Sequence, residues 1–505
     1  MSGKAVKAYE ELVARQVEIA RLGSIMGLLG WDEQVNLPRA ASAARAEQLA
    51  YLMGLMHRRA TAPEIGELLS IVEGSELVAD PAGDAAVNAR EWRRAYDRLV
   101  KVPPSLMEEL ERQISLSQGI WVEARRKSDF SMFSPALERL IALRKDYARA
   151  IAPAAPLYDT LADDFEPGAT AEELARVLSG LRDALVPLLS AISGSSRRAD
   201  VSILRRDYPV ERQRIFAQAA AAAIGFDFRA GRLDASPHPF CSGIAPGDTR
   251  LTTRYDPRQF GQAFFGVIHE AGHGMYDQGL PAAHWGTPRG TSAGMGVHES
   301  QSRLWENFVA RSRPFWQHFL PRAQQVFPDA LSDVSLDAFY FAVNHVEKQF
   351  IRVEADEVTY NLHVLLRFEL ETALFSDQLS VRDVPGAWNE NFKAYFDMTP
   401  PNDALGCLQD IHWSGAAFGY FPSYSLGNIF AAQIYAQARK EIPDLEEGFT
   451  WGEFAPLLSW LREKVHAHGM TYRAPQLIEK ITGGPIDHRP LITHLQAKYG
   501  ELYGL

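Results

Sequence analysis

Apolar positions recur at near-helical spacing through most of the chain. Between Tyr9 and Leu29 they fall at Tyr9, Leu12, Val13, Val17, Ala20, Ile25 and Leu28, which predicts a helix, with Ile19 and Leu22 off the stripe. Asn36-Leu37-Pro38 ends that pattern, and a second helical stretch runs from Ala40 to Arg58. Thr61-Ala62-Pro63-Glu64 reads as a cap followed by a proline in the first turn. Thr170-Ala171-Glu172-Glu173 has the form of a capping box. It opens a helix through Leu174, Val177, Leu178, Leu181, Leu185 and Leu188, in which Pro187 predicts a kink. Strand patterns are rare. The best is Thr249 to Tyr255, bounded by Pro246-Gly247-Asp248 and Asp256-Pro257. With no linker or repeat, the pattern predicts a mainly α fold and one catalytic unit over residues 1–505, a division into two lobes around a cleft being left open.

One helical stretch carries chemistry. Residues 269 to 273 read His-Glu-Ala-Gly-His, the H-E-x-x-H pattern. Positions i and i+4 share a helix face, so both imidazoles can meet one zinc ion. Glu270 stays near that ion, where it can take a proton from an activated water. Asp256 and Pro257 suit the start of this helix, Phe260, Phe264, Val267, Ile268, Ala271 and Met275 give it apolar faces, and Gly279 with Pro281 ends it. Independent placement of residues gives roughly 0.03 chance matches to the pattern in a chain of this length. The competing reading is a pair of core histidines bonded to backbone carbonyls.

A hydrolytic zinc needs a third protein ligand and an open position. A glycine-rich loop, 286–296, precedes a second helical pattern containing His298, Glu299 and Arg303. Glu299 is the favoured ligand, because Arg303 one turn on can pair with it and fix its orientation. His298 is the rival, pointing about 100° away around the helix. A plain surface ion pair between Glu299 and Arg303 is the bland alternative.

The composition narrows the rest. Fifty-two basic against 63 acidic residues give a net charge of −11, which argues against a general nucleic-acid binder. Two cysteines, Cys241 and Cys407, exclude a disulfide framework and a four-cysteine zinc site; they could pair once, but two reduced thiols is the plainer reading. The N-terminus lacks the apolar core of a signal peptide, and no stretch approaches about 18 uninterrupted apolar residues. The expectation is a cytoplasmic protein without a membrane partner.

The sequence resembles the carboxypeptidase Taq family of metallocarboxypeptidases. HEAGH and the downstream HESQSR look like that family's metal motifs. His238-Pro239-Phe240 matches its HPF motif and Asp248-Thr249-Arg250-Leu251-Thr252 its D-x-R-x-T motif. Ile351-Arg352-Val353-Glu354-Ala355-Asp356 matches [IV]-R-x-x-A-D, and Gly406 to Trp413 matches G-x-x-Q-D-x-H-W. Trp31-Asp32 and Leu37-Pro38 resemble the family's opening segment, so the likeness spans the chain in order. It implies a two-lobed helical fold with a deep groove, resembling the neurolysin and angiotensin-converting-enzyme peptidases. It also implies release of single residues from free C-termini of peptides, one zinc or cobalt ion per chain, and a homodimer.

The remaining motif residues then acquire candidate roles. A C-terminal carboxylate suits a planar guanidinium, which makes Arg352 and Arg250 the candidates. Arg250 falls on the expected strand, where a peptide could also add by main-chain hydrogen bonds, and Arg352 on an expected helix continuing through Tyr360. Each arginine could instead serve an ion pair, such as Arg352 with Asp356. A donor to the tetrahedral oxyanion is sought in Tyr420 first, then His412 and Tyr424, although an aromatic stretch often simply packs in a core. His238 could bind substrate or orient a loop. Asp356 and Asp410 could accept from the ligand imidazoles. Two other readings stay open: an endo-acting zinc oligopeptidase, and a non-catalytic helical protein whose structural metal recruits His284 or His298.

Overall fold

The computed structural model describes residues 3–505. Helix α1 (Gly3–Val35) is followed, after a short 3-10 turn, by α2 (Ser42–Ala60) and α3 (Pro63–Glu73). Asn36 and Leu37 close α1 by donating to the Asp32 carbonyl, as the Asn-Leu-Pro break requires. The expected cap at Thr61 is absent. Its hydroxyl donates back to the His57 carbonyl at 2.9 Å, and Ala62 stands at the N-cap position of α3.

The chain forms two compact units. The first comprises 1–99, 199–343 and 433–485, the second 100–198, 344–432 and 486–505. In the second, α4 (Leu157–Ala162) precedes α5 (Ala171–Gly194). Thr170 caps α5 by accepting from the Glu173 amide at 3.2 Å. The Glu173 carboxylate meets the Thr170 hydroxyl rather than a backbone donor, so the reciprocal half of the box differs from expectation. By length and mean hydropathy α5 alone among the described residues could cross a membrane; its stripe from Leu174 to Ile192 is buried within the protein.

The first unit holds the sheet. Strands β1 (Gly231–Ala235), β2 (Phe240–Ala245) and β3 (Asp248–Thr253) lie in the order β1-β3-β2. β1 runs parallel to β3, and β2 antiparallel with a register shift between Gly243 and Ala245. The threonine-rich segment is therefore the central strand, with both edges paired, and a peptide cannot add to it as envisaged. The sequence pattern showed neither flanking strand, because β1 and β2 are short and glycine-containing and only their pairing makes them strands.

Against this sheet packs α6 (Phe260–Gly279), the helix of the HEAGH motif. It begins at Phe260 rather than beside Pro257: Asp256 instead closes a turn, its side chain accepting from the Arg258 amide and its carbonyl from Gln259. Phe260 and Phe264 stack at 5.5 Å and join Phe216, Trp316, Phe327 and Phe339 in an aromatic core. Deleting such a buried ring costs about 3–5 kcal/mol, so the N-terminal half of α6 is firmly anchored. After the glycine-rich loop comes α7 (Met295–Arg303), which continues as a π-helical stretch, Leu304–Ala310. In the second unit, α8 (Tyr360–Phe375) is buried on nearly all sides.

Candidate active site

Gly272 sets the geometry of the metal cluster. A Cβ there would stand 2.6 Å from the Ser302 Cα and 2.7 Å from the Gln301 carbonyl oxygen. Only glycine lets the backbones of α6 and α7 come this close. The crossing delivers Glu299 to the two histidines: its Oε2 lies 3.8 Å from Nε2 of His269 and 3.4 Å from Nε2 of His273. One ligand atom from each of the three residues falls within 4.8 Å of the others. Donors about 2.1 Å from one tetrahedral ion sit about 3.4 Å apart, so two imidazoles and a carboxylate arranged in this way fit a divalent cation.

Each imidazole is held from behind. His269 turns its Nδ1 to Oε2 of Glu306 at 2.9 Å, leaving Nε2 free for a metal. Glu306 in turn accepts from Arg303 at 3.2 Å and Arg311 at 3.3 Å. Burial alone would raise the Glu306 pKa, but Arg303, His269 and Arg311 hold it down at about 2. His273 is backed through a relay: its Nδ1 is 2.6 Å from Nδ1 of His298, whose Nε2 is 3.0 Å from the Asp277 carboxylate. Burial lowers the His273 pKa to about 4, which favours the neutral, metal-binding form.

Arg303 grips Glu299 at 2.7 Å, as the i+4 spacing anticipated. Burial works against the Glu299 charge, yet Arg303 and the imidazoles keep its pKa well below the usual range. Glu270 is buried beside the cluster, and burial pushes its pKa up to about 7 against the pull of His269. A carboxyl poised near neutrality suits general-base work.

His298 and His284 do not join the ligands. His298 belongs to the relay behind His273, and His284 lies 3.9 Å from Asp84. The extra ligands of a closed structural site are thus engaged elsewhere. Asp356 and Asp410 are not the acceptors behind the imidazoles; Glu306 and the His298–Asp277 pair take that place. Glu306 lies two turns beyond Glu299 and Asp277 one turn beyond His273, a periodicity in the sequence that could have pointed to both.

Arg250 lies on β3 with its guanidinium forked onto Asp248 at 2.8 and 2.9 Å and stacked 4.2 Å over Trp31. It therefore forms the ion pair named as its alternative. His238 is exposed just before β2, and its carbonyl accepts from Ser236 at 2.5 Å and Thr252 at 3.4 Å, which fixes the turn between the strands. Cys241 and Cys407 are both free thiols.

The second unit gathers the other motif residues. Arg352 occupies a single 3-10 turn, Arg352–Glu354, rather than a helix reaching Tyr360. Its partner is not Asp356, which closes the turn at Val358 and Thr359. Instead Nε and Nη2 donate to Oδ1 of Asp410 at 3.0 and 2.9 Å, and Nη1 donates to the Tyr360 hydroxyl at 3.0 Å. Arg367 of α8 takes the other carboxylate oxygen at 2.6 Å. Burial would lift the Asp410 pKa, but the two guanidiniums hold it well below the usual range. Gln409 accepts from the Arg352 amide at 2.9 Å and donates to the Phe350 carbonyl at 2.9 Å, tying two motifs together.

Beyond Asp410, the His412 ring lies 5.3 Å from that of Tyr420, and its Nε2 is 3.4 Å from the Tyr424 hydroxyl. Burial lowers the His412 pKa to about 4, so it is neutral near pH 7. Arg367 and Glu371, both on α8 and both in this network, belong to no recognised motif and were missed.

Residues 11–499 match the family described as Carboxypeptidase Taq (M32) metallopeptidase. Thermostable carboxypeptidase 1 of Thermus thermophilus is 49% identical over 98% of this chain and 99% of its own. Carboxypeptidase 1 of Bacillus subtilis is 38% identical, with 98% of each chain covered. The crystal structure of the M32 carboxypeptidase from Deinococcus radiodurans superposes with a TM-score of 0.95 at 38% identity, covering 99% of this chain and 100% of that one. A match of this length, joined to a cluster that fits a divalent metal, makes the chain a member of the carboxypeptidase Taq (M32) family of metallocarboxypeptidases, and so a metal-dependent peptide hydrolase.

Proposed function

We propose that this metallocarboxypeptidase removes single residues from free C-termini with His269, His273 and Glu299 as its metal ligands and Glu270 as general base. The convergence of the two imidazoles and Glu299 supports this reading most directly. Two histidines and one carboxylate are a zinc hydrolase's ligand set, and imidazole also suits cobalt; the proposal is zinc, with cobalt able to replace it, one ion per chain. That ion supplies Lewis acidity, lowering the pKa of a water and polarising the scissile carbonyl.

The chain's own groups do the rest. The Glu270 carboxylate takes a proton from the attacking water and returns it to the leaving amine nitrogen. Glu306 and the His298–Asp277 relay keep the Nδ1 proton in place on each ligand imidazole, and thereby the orientation of the ring. Tyr420, with His412 and Tyr424, donates to the oxyanion. Arg352 takes the terminal carboxylate, and Arg250 and His238 contribute to the substrate path. The whole chain, 1–505, acts as one peptidase unit, as a cytoplasmic homodimer.

The test is product analysis. A free-acid peptide should lose one residue at a time from its C-terminus, and internal fragments would point to an endopeptidase. Alanine at His269 or His273 should abolish stoichiometric metal; unchanged metal content would reject the ligand assignment.

A further inference from the structure

Three buried donors of the second unit converge on Glu371, a residue of α8 with no exposed surface. Its Oε1 accepts from the Trp413 indole at 2.8 Å. Its Oε2 accepts from the Gly419 amide at 2.9 Å and from the Tyr158 hydroxyl at 3.0 Å. Trp413 directly follows His412, and Gly419 directly precedes Tyr420. One carboxylate therefore holds both ends of the segment that carries the two proposed oxyanion donors.

Between those ends the chain folds back tightly. Ala416 and Ala417 donate to the carbonyls of Trp413 and His412, and Ala416 and Gly419 have positive φ. At Gly419 the close approach is strict: a Cβ would lie 2.7 Å from the backbone of Leu161 and Ala162 at the end of α4. One turn earlier on α8, Arg367 grips Asp410 at the start of the same segment. A single helix thus pins the segment at Asp410, Trp413 and Gly419.

The chemistry calls for a carboxylate. An indole N–H and a backbone amide can only donate. A glutamine at 371 would offer one accepting oxygen, and its NH₂ would face either Trp413 or Gly419. One end of the segment would then be released whichever way the amide turned. Burying a carboxylate is costly unless it is well hydrogen-bonded; here burial pushes the Glu371 pKa up to about 7, and the Gly419, Trp413 and Tyr158 donors pull against that rise.

We propose that Glu371 is a positioning residue for the peptidase reaction, fixing the orientation of His412 and Tyr420 by holding Trp413 and Gly419. This rests on the proposed donor roles of Tyr420 and His412. A donor displaced by about 1 Å can lower turnover about 10²-fold without disturbing substrate binding.

The test uses the full-length, metal-loaded enzyme and a peptide with a free C-terminus. Glu371→Gln should keep its circular dichroism and metal content, hold KM within about twofold, and lose at least about tenfold in kcat. Tyr158→Phe, which leaves both segment ties in place, should stay within about twofold of wild type. In a double-mutant cycle, Glu371→Gln should cost less on the Tyr420→Phe background than it costs alone, because the part of its effect that runs through Tyr420 is already lost. A Glu371→Gln enzyme with wild-type kcat, or a loss that multiplies fully with that of Tyr420→Phe, overturns the proposal. If Glu371→Gln does not fold, Trp413→Phe keeps a ring and removes the N–H; lowered kcat at unchanged KM supports the proposal and unchanged kcat overturns it. Wild-type turnover in Tyr420→Phe would instead overturn the donor reading beneath it, a result distinct from any failure at Glu371.

Discussion

Arg303 joins two carboxylates that serve the same histidine: its Nε donates to Glu299 at 2.7 Å, and its Nη1 donates to Glu306 at 3.2 Å. Glu299 faces the Nε2 side of His269, and Glu306 holds the Nδ1 side. The ring is thus held at Nδ1 while its Nε2 faces Glu299, and the two carboxylates on either side of it share one cation.

Replacing Glu306 with glutamine should keep an acceptor for His269 but lose the charge that Arg303 and Arg311 share. Metal affinity should fall about 10–100-fold, read by competition with a chelator. An affinity equal to wild type would show that His269 needs no support from Glu306.

The Gly272→Ala enzyme should bind metal poorly while remaining helical. Its new methyl group would meet the backbone of Ser302 and Gln301, so α7 must shift and carry Glu299 with it. Overpacking of this kind destabilises by about 1–3 kcal/mol, which a thermal melt would register alongside metal analysis.

For Glu270→Gln the expected outcome is full metal content, native circular dichroism and a loss of about 10²–10⁴-fold in turnover. Near-normal turnover would remove Glu270 from the role of base.

Arg352 should distinguish a free acid from its amide. The wild type should strongly prefer the free C-terminus, and Arg352→Ala should shrink that preference by slowing the acid alone. Arg352→Lys should also be impaired, because lysine keeps the charge and loses the planar fork that donates to Asp410 and Tyr360. Equal cleavage of acid and amide by the wild type would end the clamp idea. A preference lost only at Arg250→Ala would move the clamp to that residue.

Acid sensitivity has a definite source in His466. Buried against Tyr276, with Nε2 3.1 Å from the Gln301 side-chain oxygen, its pKa is lowered by burial to about 3. The unfolded value is about 6.5, so between these limits the unfolded state binds the extra proton. The neutral ring's contribution is complete above about pH 6.5 and is lost progressively as pH falls toward 3. Melting temperature should therefore drop between pH 7 and pH 4 in the wild type, and drop less in His466→Gln. Parallel curves would show that another group controls the acid limb.

Much of the site was legible because its first layer is local. A helix places residues four apart on one face, so HEAGH announces two convergent imidazoles from sequence alone, and the same spacing announces Arg303 behind Glu299. The breaks at Asn36-Leu37-Pro38 and at Gly279 are equally local, since they depend on what a proline or glycine does to its own backbone. Short-range reading misled where a residue's partner came from elsewhere in the chain. Arg352 took Asp410 over Asp356, and the threonine-rich strand became the centre of a sheet whose other members carry little strand pattern; at Thr61 the difference is itself local, since its hydroxyl turns back one helical turn to His57 instead of capping forwards.

What the sequence determined by itself was the motif-bearing helix, its two histidines, the glutamate between them and the order of the family's motifs, because 3.6-residue periodicity and motif spacing are written along the chain. Tertiary structure alone decided which carboxylate stands behind which imidazole, that Arg250 is occupied by Asp248 and Trp31, and that Glu371 ties down the segment from His412 to Tyr420. Those outcomes depend on how closely two backbones approach, as at Gly272 and Gly419, and on which buried donors are left needing an acceptor once segments more than 40 residues apart have packed. No local pattern encodes either quantity.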